Sequence, residues 1–303
     1  MLTPAPNLRA RRGVSLVELL VTMTVGGIAL TLVAAICLRQ QRTFADLAQA
    51  SALSGQLRDA AAILPIDLRS ISSVSGDIRD ARDTSLEIRA TIASAVVCDT
   101  VSGGIVLSPP GQGAHTYAAL PGAVEVGDTV WRLSILAATE EWIPHRVAAV
   151  HSAASGLCHA LGPKLGAERA ERRVAIALDS VPSNTWLGMP LRVTRPVRYS
   201  LYRSSGTWSL GARDWNSASA RFNTIQPLAG PFLSAAARGL RFEYFDSSGI
   251  ALPPPVVDAR AVALIHVDLR GQTKSAPGVV ATAAAAGARI DSLSVWVALR
   301  NRR

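Results

Sequence analysis

The most specific chemistry in this chain sits at Gly13, Val14 and Glu18. Hydrolysis of the Gly13–Val14 peptide would free an α-amine four residues before the Glu18 carboxylate, one helical turn away or within reach of a neighbouring copy. Glu18 needs such a partner. It is the only ionisable side chain between Leu16 and Ile36, in an apolar run that continues to Leu38. A charge inside a membrane-length apolar segment costs about 2.5–3.5 kcal/mol on insertion scales. An α-amine freed by cleavage would supply the missing counter-charge.

No other cluster carries an equally specific signal. His151, Cys158 and His159 lie close together, but a zinc site wants four ligands at recognisable spacing, and Cys98 would have to be recruited from far away. Cys158 beside His159 is no nucleophile–base pair by adjacency, since neighbouring strand residues point to opposite faces. Gly103-Gly104 and Gly111-Gln112-Gly113 lack the Lys-Ser/Thr that follows a phosphate-cradling loop, and the nucleophile-elbow and His-Glu-x-x-His patterns are absent from the sequence. Six Trp, at 131, 142, 186, 208, 215 and 296, are dispersed in a way that favours packing over a stacking surface. The expectation is therefore a protein that is not an enzyme, with no cofactor, no metal and no small-molecule substrate. An oxidising compartment would permit a Cys98–Cys158 disulfide; Cys37 falls in the apolar run.

The elements that must position Glu18 follow from pattern. Leu19 to Leu38 spans about 30 Å as a helix, enough to cross a bilayer once. Arg9, Arg11 and Arg12 precede it with no acidic residue among the first thirteen, so the positive-inside rule leaves them cytoplasmic and the bulk of the chain on the other side. Between Arg39 and Leu64 the sequence favours helix, with an apolar stripe at Phe44, Leu47, Leu53, Leu57, Ala61 and Leu64. One helix over 14–64 is expected, transmembrane over 14–38 and stopped by Pro65.

Beyond Pro65 short alternating runs predict antiparallel strands around 86–92, 130–136, 147–150, 174–178, 197–201, 240–244, 263–269 and 293–299. Ser204-Ser205-Gly206 predicts a hairpin turn, and Asp246 to Gly249 closes another strand. With 303 residues, 49% hydrophobic and 17% charged, the chain can bury one sizeable core or two small ones. The fold class is α+β: a long N-terminal helix packed on an antiparallel β-sheet head over 65–303. A fragment starting near Gln40 should fold alone. The formal charge is +9; a cut after Gly13 would leave 28 basic against 22 acidic residues, or +6. Arg169, Arg172 and Arg173 alternate with Glu168 and Glu171, a solvated helix face rather than a nucleic-acid patch.

The N-terminal residues resemble the type IV pilin and type II secretion pseudopilin family, whose signature is a basic leader, Gly, a hydrophobic first residue and then Ser/Thr-Leu-x-Glu. Here these are Arg9, Arg11 and Arg12, then Gly13, Val14, Ser15, Leu16 and Glu18. Val14 departs from the family's usual Phe. The competing reading, a secretory signal cut near Val33-Ala34-Ala35, leaves Glu18 without a purpose. The C-terminal third is similar to the W-type minor pilins and J-type minor pseudopilins: Leu240-Arg241-Phe242-Glu243-Tyr244-Phe245-Asp246 with Gly249, then 261–269, then Val295 to Asn301.

The resemblance implies cleavage at Gly13–Val14 by a prepilin peptidase and N-methylation of Val14, with Glu18 as the assembly charge. It also implies a single pass through the inner membrane, a periplasmic head and contacts with other minor and major pilins or pseudopilins. Such a subunit would initiate or cap a pilus or secretion pseudopilus. The alternative is a binding module on the same anchor, serving DNA uptake or adhesion, with DNA the less favoured partner. An anchored periplasmic enzyme would need a convergent polar cleft that the sequence does not advertise.

Overall fold

The computed structural model describes residues 15–109, 118–119, 122–136, 139–152, 158, 174–180, 184–273 and 289–299. One α-helix, α1 (Leu16–Ser70), precedes a series of strands. They are β1 (Ile78–Ala81), β2 (Ser85–Val101), β3 (Gly104–Leu107), β4 (Thr129–Leu136), β5 (Thr139–Ser152), β6 (Val174–Leu178) and β7 (Pro190–Ser204). After them come β8 (Thr207–Asn216), β9 (Arg221–Phe222), β10 (Gln226–Phe232), β11 (Leu240–Phe245), β12 (Ala251–Leu252), β13 (Leu264–Gln272) and β14 (Ile290–Ala298). The class is α+β, and each predicted strand falls on one of these elements. At the predicted hairpin, Ser204 pairs with Thr207, and Ser205 and Gly206 take φ of 49° and 79°, the left-handed values a two-residue turn demands.

The chain divides into two compact units, one ending at Ala52 and the other beginning at Leu53. In the first, α1 is exposed on every side: Leu16, Val17, Met23 and Leu30 are apolar and open, as are Phe44 and Leu47 farther along. Thr22, Thr24 and Thr31 return their hydroxyls to carbonyls three or four residues back, at 2.8–3.0 Å, so their polar groups are satisfied within the helix. Gly26 and Gly27 do not interrupt it.

In the second unit α1 buries Leu53, Leu57, Ala60, Leu64, Pro65 and Leu68. The helix does not stop at Pro65, as the sequence suggested, but runs to Ser70. Pro65 lacks the N–H that would serve the Ala61 carbonyl, yet it is itself buried, and Leu68 in the following turn has no exposed surface. Burial of that last turn outweighs one lost hydrogen bond.

The helix face meets two sheets. On one side stand β1, the first half of β2, the second half of β7, then β8 and β10; on the other is a sheet of order β12-β11-β13-β14. Leu86, Ile88, Val197, Tyr199 and Leu210 from the first join Leu240, Phe242, Tyr244, Ile265, Val267, Leu269 and Val297 from the second in one core. Gly271 on β13 permits the closest approach: a Cβ there would lie 2.5 Å from Leu53 Cδ1 and 2.8 Å from the Pro231 carbonyl oxygen.

The second of the two cores takes a form that no strand pattern indicated. The strand order β2-β3-β6-β5-β4-β7, with β7 pairing back onto β2, closes six strands into a barrel. Its interior holds Ala93, Ala95, Val97, Ile105, Leu107, Val130, Val147, Ile176, Leu178, Met189, Leu191 and Val193, without an aromatic side chain among them. Small and branched residues suit so narrow an interior. Strands β2 and β7 serve both cores. Between Thr91 and Ala93 the register slips by one, so β2 buries even-numbered residues (Leu86, Ile88, Ala90) before the bulge and odd-numbered ones (Ala93, Ala95, Val97) after it.

At the seam between the cores Arg195 grips Asp128, Nε to Oδ1 at 2.7 Å and Nη2 to Oδ2 at 2.8 Å. Asp128 is 3% exposed and Arg195 12%. Their bidentate contact raises the Arg195 pKa above its ordinary value. In a fragment beginning at Gln40, Asp128→Asn is expected to lower the unfolding free energy by about 1–3 kcal/mol, because it breaks the bidentate contact and leaves the guanidinium to the exposed Glu125, whose Oε1 lies 3.3 Å from Nη1. The double change Asp128→Leu with Arg195→Met should recover most of that loss. Urea denaturation followed by tryptophan fluorescence measures both; equal losses in the single and double variants would mean that the ion pair itself holds the seam.

Candidate functional site

The described part of the N-terminal site begins at Ser15. Its hydroxyl accepts a hydrogen bond from the Glu18 amide at 3.2 Å and its carbonyl accepts from the Leu19 amide at 3.1 Å. Ser15 is therefore the N-cap of α1, and Glu18 occupies the third helical position, the Ser-x-x-Glu spacing of a capping box. A carboxylate there also faces the positive end of the helix dipole. This role was open to view in the sequence, since the spacing of Ser15 and Glu18 is itself the signal. Gly13, Val14 and the leader residues Arg9, Arg11 and Arg12 lie outside the described residues.

Residues 8–34 match the prokaryotic N-terminal methylation motif. The chain carries the type IV pilin and pseudopilin signature. That motif marks a structural subunit rather than an enzyme, one processed by a prepilin peptidase and assembled with other pilins, and with the apolar first half of α1 it indicates membrane anchoring. Neither the curated proteins nor the solved structures contain a match to this chain.

Elsewhere the structure sorts the sequence candidates. Cys98 on β2 and Cys158 form a disulfide, with Cα atoms 4.8 Å apart, and the Cys158 amide donates to Asp99 Oδ2 at 3.1 Å. A bridged Cys158 offers neither a thiolate nucleophile nor a metal ligand; His159 lies outside the described residues. Ser102 and Gly103, with Gly103 at φ 75°, make the turn between β2 and β3, which accounts for the first glycine pair. Gly111 to Gly113 and Arg169 to Arg173 lie outside the described residues. His145 is held by Arg132, whose Nε donates to Nε2 at 2.9 Å, and Nδ1 meets Ser180 Oγ at 2.9 Å. Burial and the Arg132 charge hold its pKa below the ordinary value.

Three groupings emerged only with the fold. On the outward face of the β2–β7–β8 sheet, Glu87 binds Arg198 at 2.6 Å and Arg79 at 3.4 Å, while Arg213 stands directly opposite Arg198. On the outward face of the other sheet, Glu243 and His266 are opposite each other and Asp268 follows two residues on. The third lines an open groove of about 540 Å³ that includes Ile63, Ile66, Asp67, Tyr199, Asp214 and Leu228.

In that groove the Tyr199 hydroxyl donates to Asp67 Oδ2, tying the last turns of α1 to β7. Burial raises the Asp67 pKa above its usual 3.8, Asp214 adds to the rise and the Tyr199 bond opposes it. Burial and Asp67 push the Tyr199 pKa up as well. Folding thus makes Asp67 hold its proton more tightly, so this group's contribution to stability is most favourable below the unfolded pKa and is lost as pH rises through the folded one. Asp67→Asn keeps an acceptor for Tyr199 but cannot ionise. Melting temperatures taken from about pH 3.5 to 7, spanning the carboxylate range, should shift in favour of the Asn variant as pH rises. Parallel curves would remove Asp67 as the source of that slope.

Proposed function

We propose that this chain is a minor pilin or pseudopilin that initiates or caps a type IV pilus or a type II secretion pseudopilus. A prepilin peptidase would cut between Gly13 and Val14, and the new Val14 amine would be methylated. The anchor would cross the inner membrane once over 14–38, leaving Arg9, Arg11 and Arg12 in the cytoplasm and the β-rich head in the periplasm. The observation that carries this reading is Glu18, the lone ionisable residue between Leu16 and Ile36 in the open apolar first part of α1, inside a segment that matches the methylation motif. The size of the second unit, which begins at Leu53 and runs to Arg303, supports a low-copy position by analogy, since a repeating subunit is usually smaller.

Mass spectrometry of the protein purified from membranes tests the processing step. A mature chain starting at methylated Val14 is expected. A start at Met1 or near Ile36 would remove the reading; an unmethylated Val14 would remove only the modification.

Assembly tests Glu18. Glu18→Gln preserves the capping box, because Gln serves at that position as well, but deletes the charge; Glu18→Ala deletes both. If the carboxylate pairs with an α-amine, both variants should be cleaved and inserted, and both should be recovered from sheared filaments in much smaller amounts than the wild type. Normal incorporation of the Gln variant would assign Glu18 to capping alone.

The binding-module alternative draws on one observation, the outward row of Arg79, Arg198 and Arg213 with a single acidic partner, Glu87. Like charges directly opposite on neighbouring strands are unfavourable without an anion between them.

A further inference from the structure

We propose that His266 and Asp268, with Glu243 behind them, form a binding site for a zinc-class divalent cation on the outward face of the β11–β13–β14 sheet. The proposal is independent of the pilin reading. It starts from two carboxylates that face the two nitrogens of one imidazole. Nδ1 of His266 lies 2.9 Å from Glu243 Oε2, and Nε2 lies 3.5 Å from Asp268 Oδ1. Glu243, at the shorter distance, pairs with Nδ1, while Nε2 and Asp268 Oδ1 face one position from which both can ligate a cation.

The spacing suits a metal. Ligands at about 2.1 Å from a tetrahedral zinc ion lie about 3.4 Å from each other, close to the 3.5 Å between Nε2 and Asp268 Oδ1. A donating N–H would normally come nearer, at about 2.7–3.2 Å.

The surroundings prepare the ring for this role. Trp296, directly across from His266 on β14, stacks on the imidazole with centroids 3.9 Å apart and planes 16° from parallel, which fixes the ring's rotation. Arg241 holds the other oxygen of Glu243 at 2.9 Å, so that carboxylate is anchored on one side and orients Nδ1–H on the other. A carboxylate behind a ligating histidine is the usual outer-shell arrangement; it fixes the tautomer and makes Nε2 a better donor. One ligand atom from each of Glu243, His266 and Asp268 falls within 4.8 Å of the others. The Asp268 side chain, at 35% exposure, leaves the remaining coordination positions to water. A nitrogen ligand beside an oxygen ligand selects zinc over calcium or magnesium, which prefer oxygen alone.

The test uses the full chain in detergent, without an affinity tag and stripped by a chelator. Zn²⁺ titrated calorimetrically should show a saturable site. Ni²⁺, a paramagnetic stand-in, should quench part of the tryptophan emission, and that part should vanish in Trp296→Phe. His266→Gln and Asp268→Asn should abolish the site, and Glu243→Gln should weaken it about tenfold or more, the usual consequence of losing an outer-shell partner. His151→Gln should leave it intact. Zn²⁺ should raise the melting temperature of the wild type but not of His266→Gln. If His266→Gln fails to melt cooperatively without metal, Asp268→Asn, at the more exposed position, carries the comparison. The proposal is overturned by the absence of saturable Zn²⁺ binding, by binding that survives both His266→Gln and Asp268→Asn, or by Mg²⁺ binding as tightly as Zn²⁺.

Discussion

Strands β2 and β7 are paired from Ser85 opposite Ser200 to Val96 opposite Pro190, and both hydrophobic cores of the second unit hang on that ladder. Its first half lies under α1 and faces Phe242 and Tyr244; its second half closes the barrel. The bulge between Thr91 and Ala93 makes the double duty possible. Side chains alternate along a strand, so a regular β2 would turn Ala93, Ala95 and Val97 away from the partners that Val193 and Leu191 offer. The Arg195–Asp128 pair then sits where the apolar contacts of one core end and those of the other begin. A polar pair at that point is costly to break and contributes little net stability while intact.

At the other end of the chain the balance of energies concerns one carboxylate. An N-cap is worth about 1 kcal/mol, and a carboxylate near a helix N-terminus gains about 0.3–1 kcal/mol from the dipole. Together these fall short of the about 2.5–3.5 kcal/mol that a charge costs at the centre of an apolar span, a cost that is smaller near the helix start. The N-cap seen at Ser15, with Glu18 at capping-box spacing, therefore explains why a glutamate is tolerated at the helix start, but not why an apolar anchor would carry a charge at all. An α-amine freed by the proposed cut between Gly13 and Val14 would supply a counter-charge there.

What could be read from the sequence divides along the range of the interactions involved. The Glu18 motif, the apolar span and the alternating strands at 197–201, 240–244 and 263–269 depend on local pattern, and the structure contains those strands at those positions. The passage of α1 through Pro65 depends instead on tertiary burial of Leu68, which no local rule contains. The barrel escaped for a related reason. Its strand β3 is buried on both faces, with Ile105 and Leu107 toward the barrel core and Val106 toward Cys98 and Cys158, so it shows no alternation to read. The Glu243–His266–Asp268 cluster was half legible: His266 and Asp268 are two apart on one strand and must share a face. Glu243 joins them only through the register of β11 on β13, a long-range fact.

The apolar stripe of α1 carries the same division into the question of assembly. Phe44, Leu47, Leu53 and Leu57 form one stripe in sequence, yet Leu53 and Leu57 are 3% and 2% exposed whereas Phe44 and Leu47 are 70% and 58% exposed. Residues of one stripe face the same way, so the break is set by where the chain's own strands stop covering the helix. Large apolar side chains beyond that point are expensive to leave in water, at about 25 cal/mol per Å², and the helix up to Leu38 is apolar on every side but for Glu18 and a few threonines. For the turns up to Leu38 lipid is sufficient by length. Phe44 and Leu47 lie past the about 30 Å that the hydrocarbon spans, beyond Arg39 and Arg42, where lipid tails do not reach. If the segment up to Leu38 crosses a bilayer, lipid would not cover these two side chains, and a neighbouring subunit of the kind the methylation motif implies could do so.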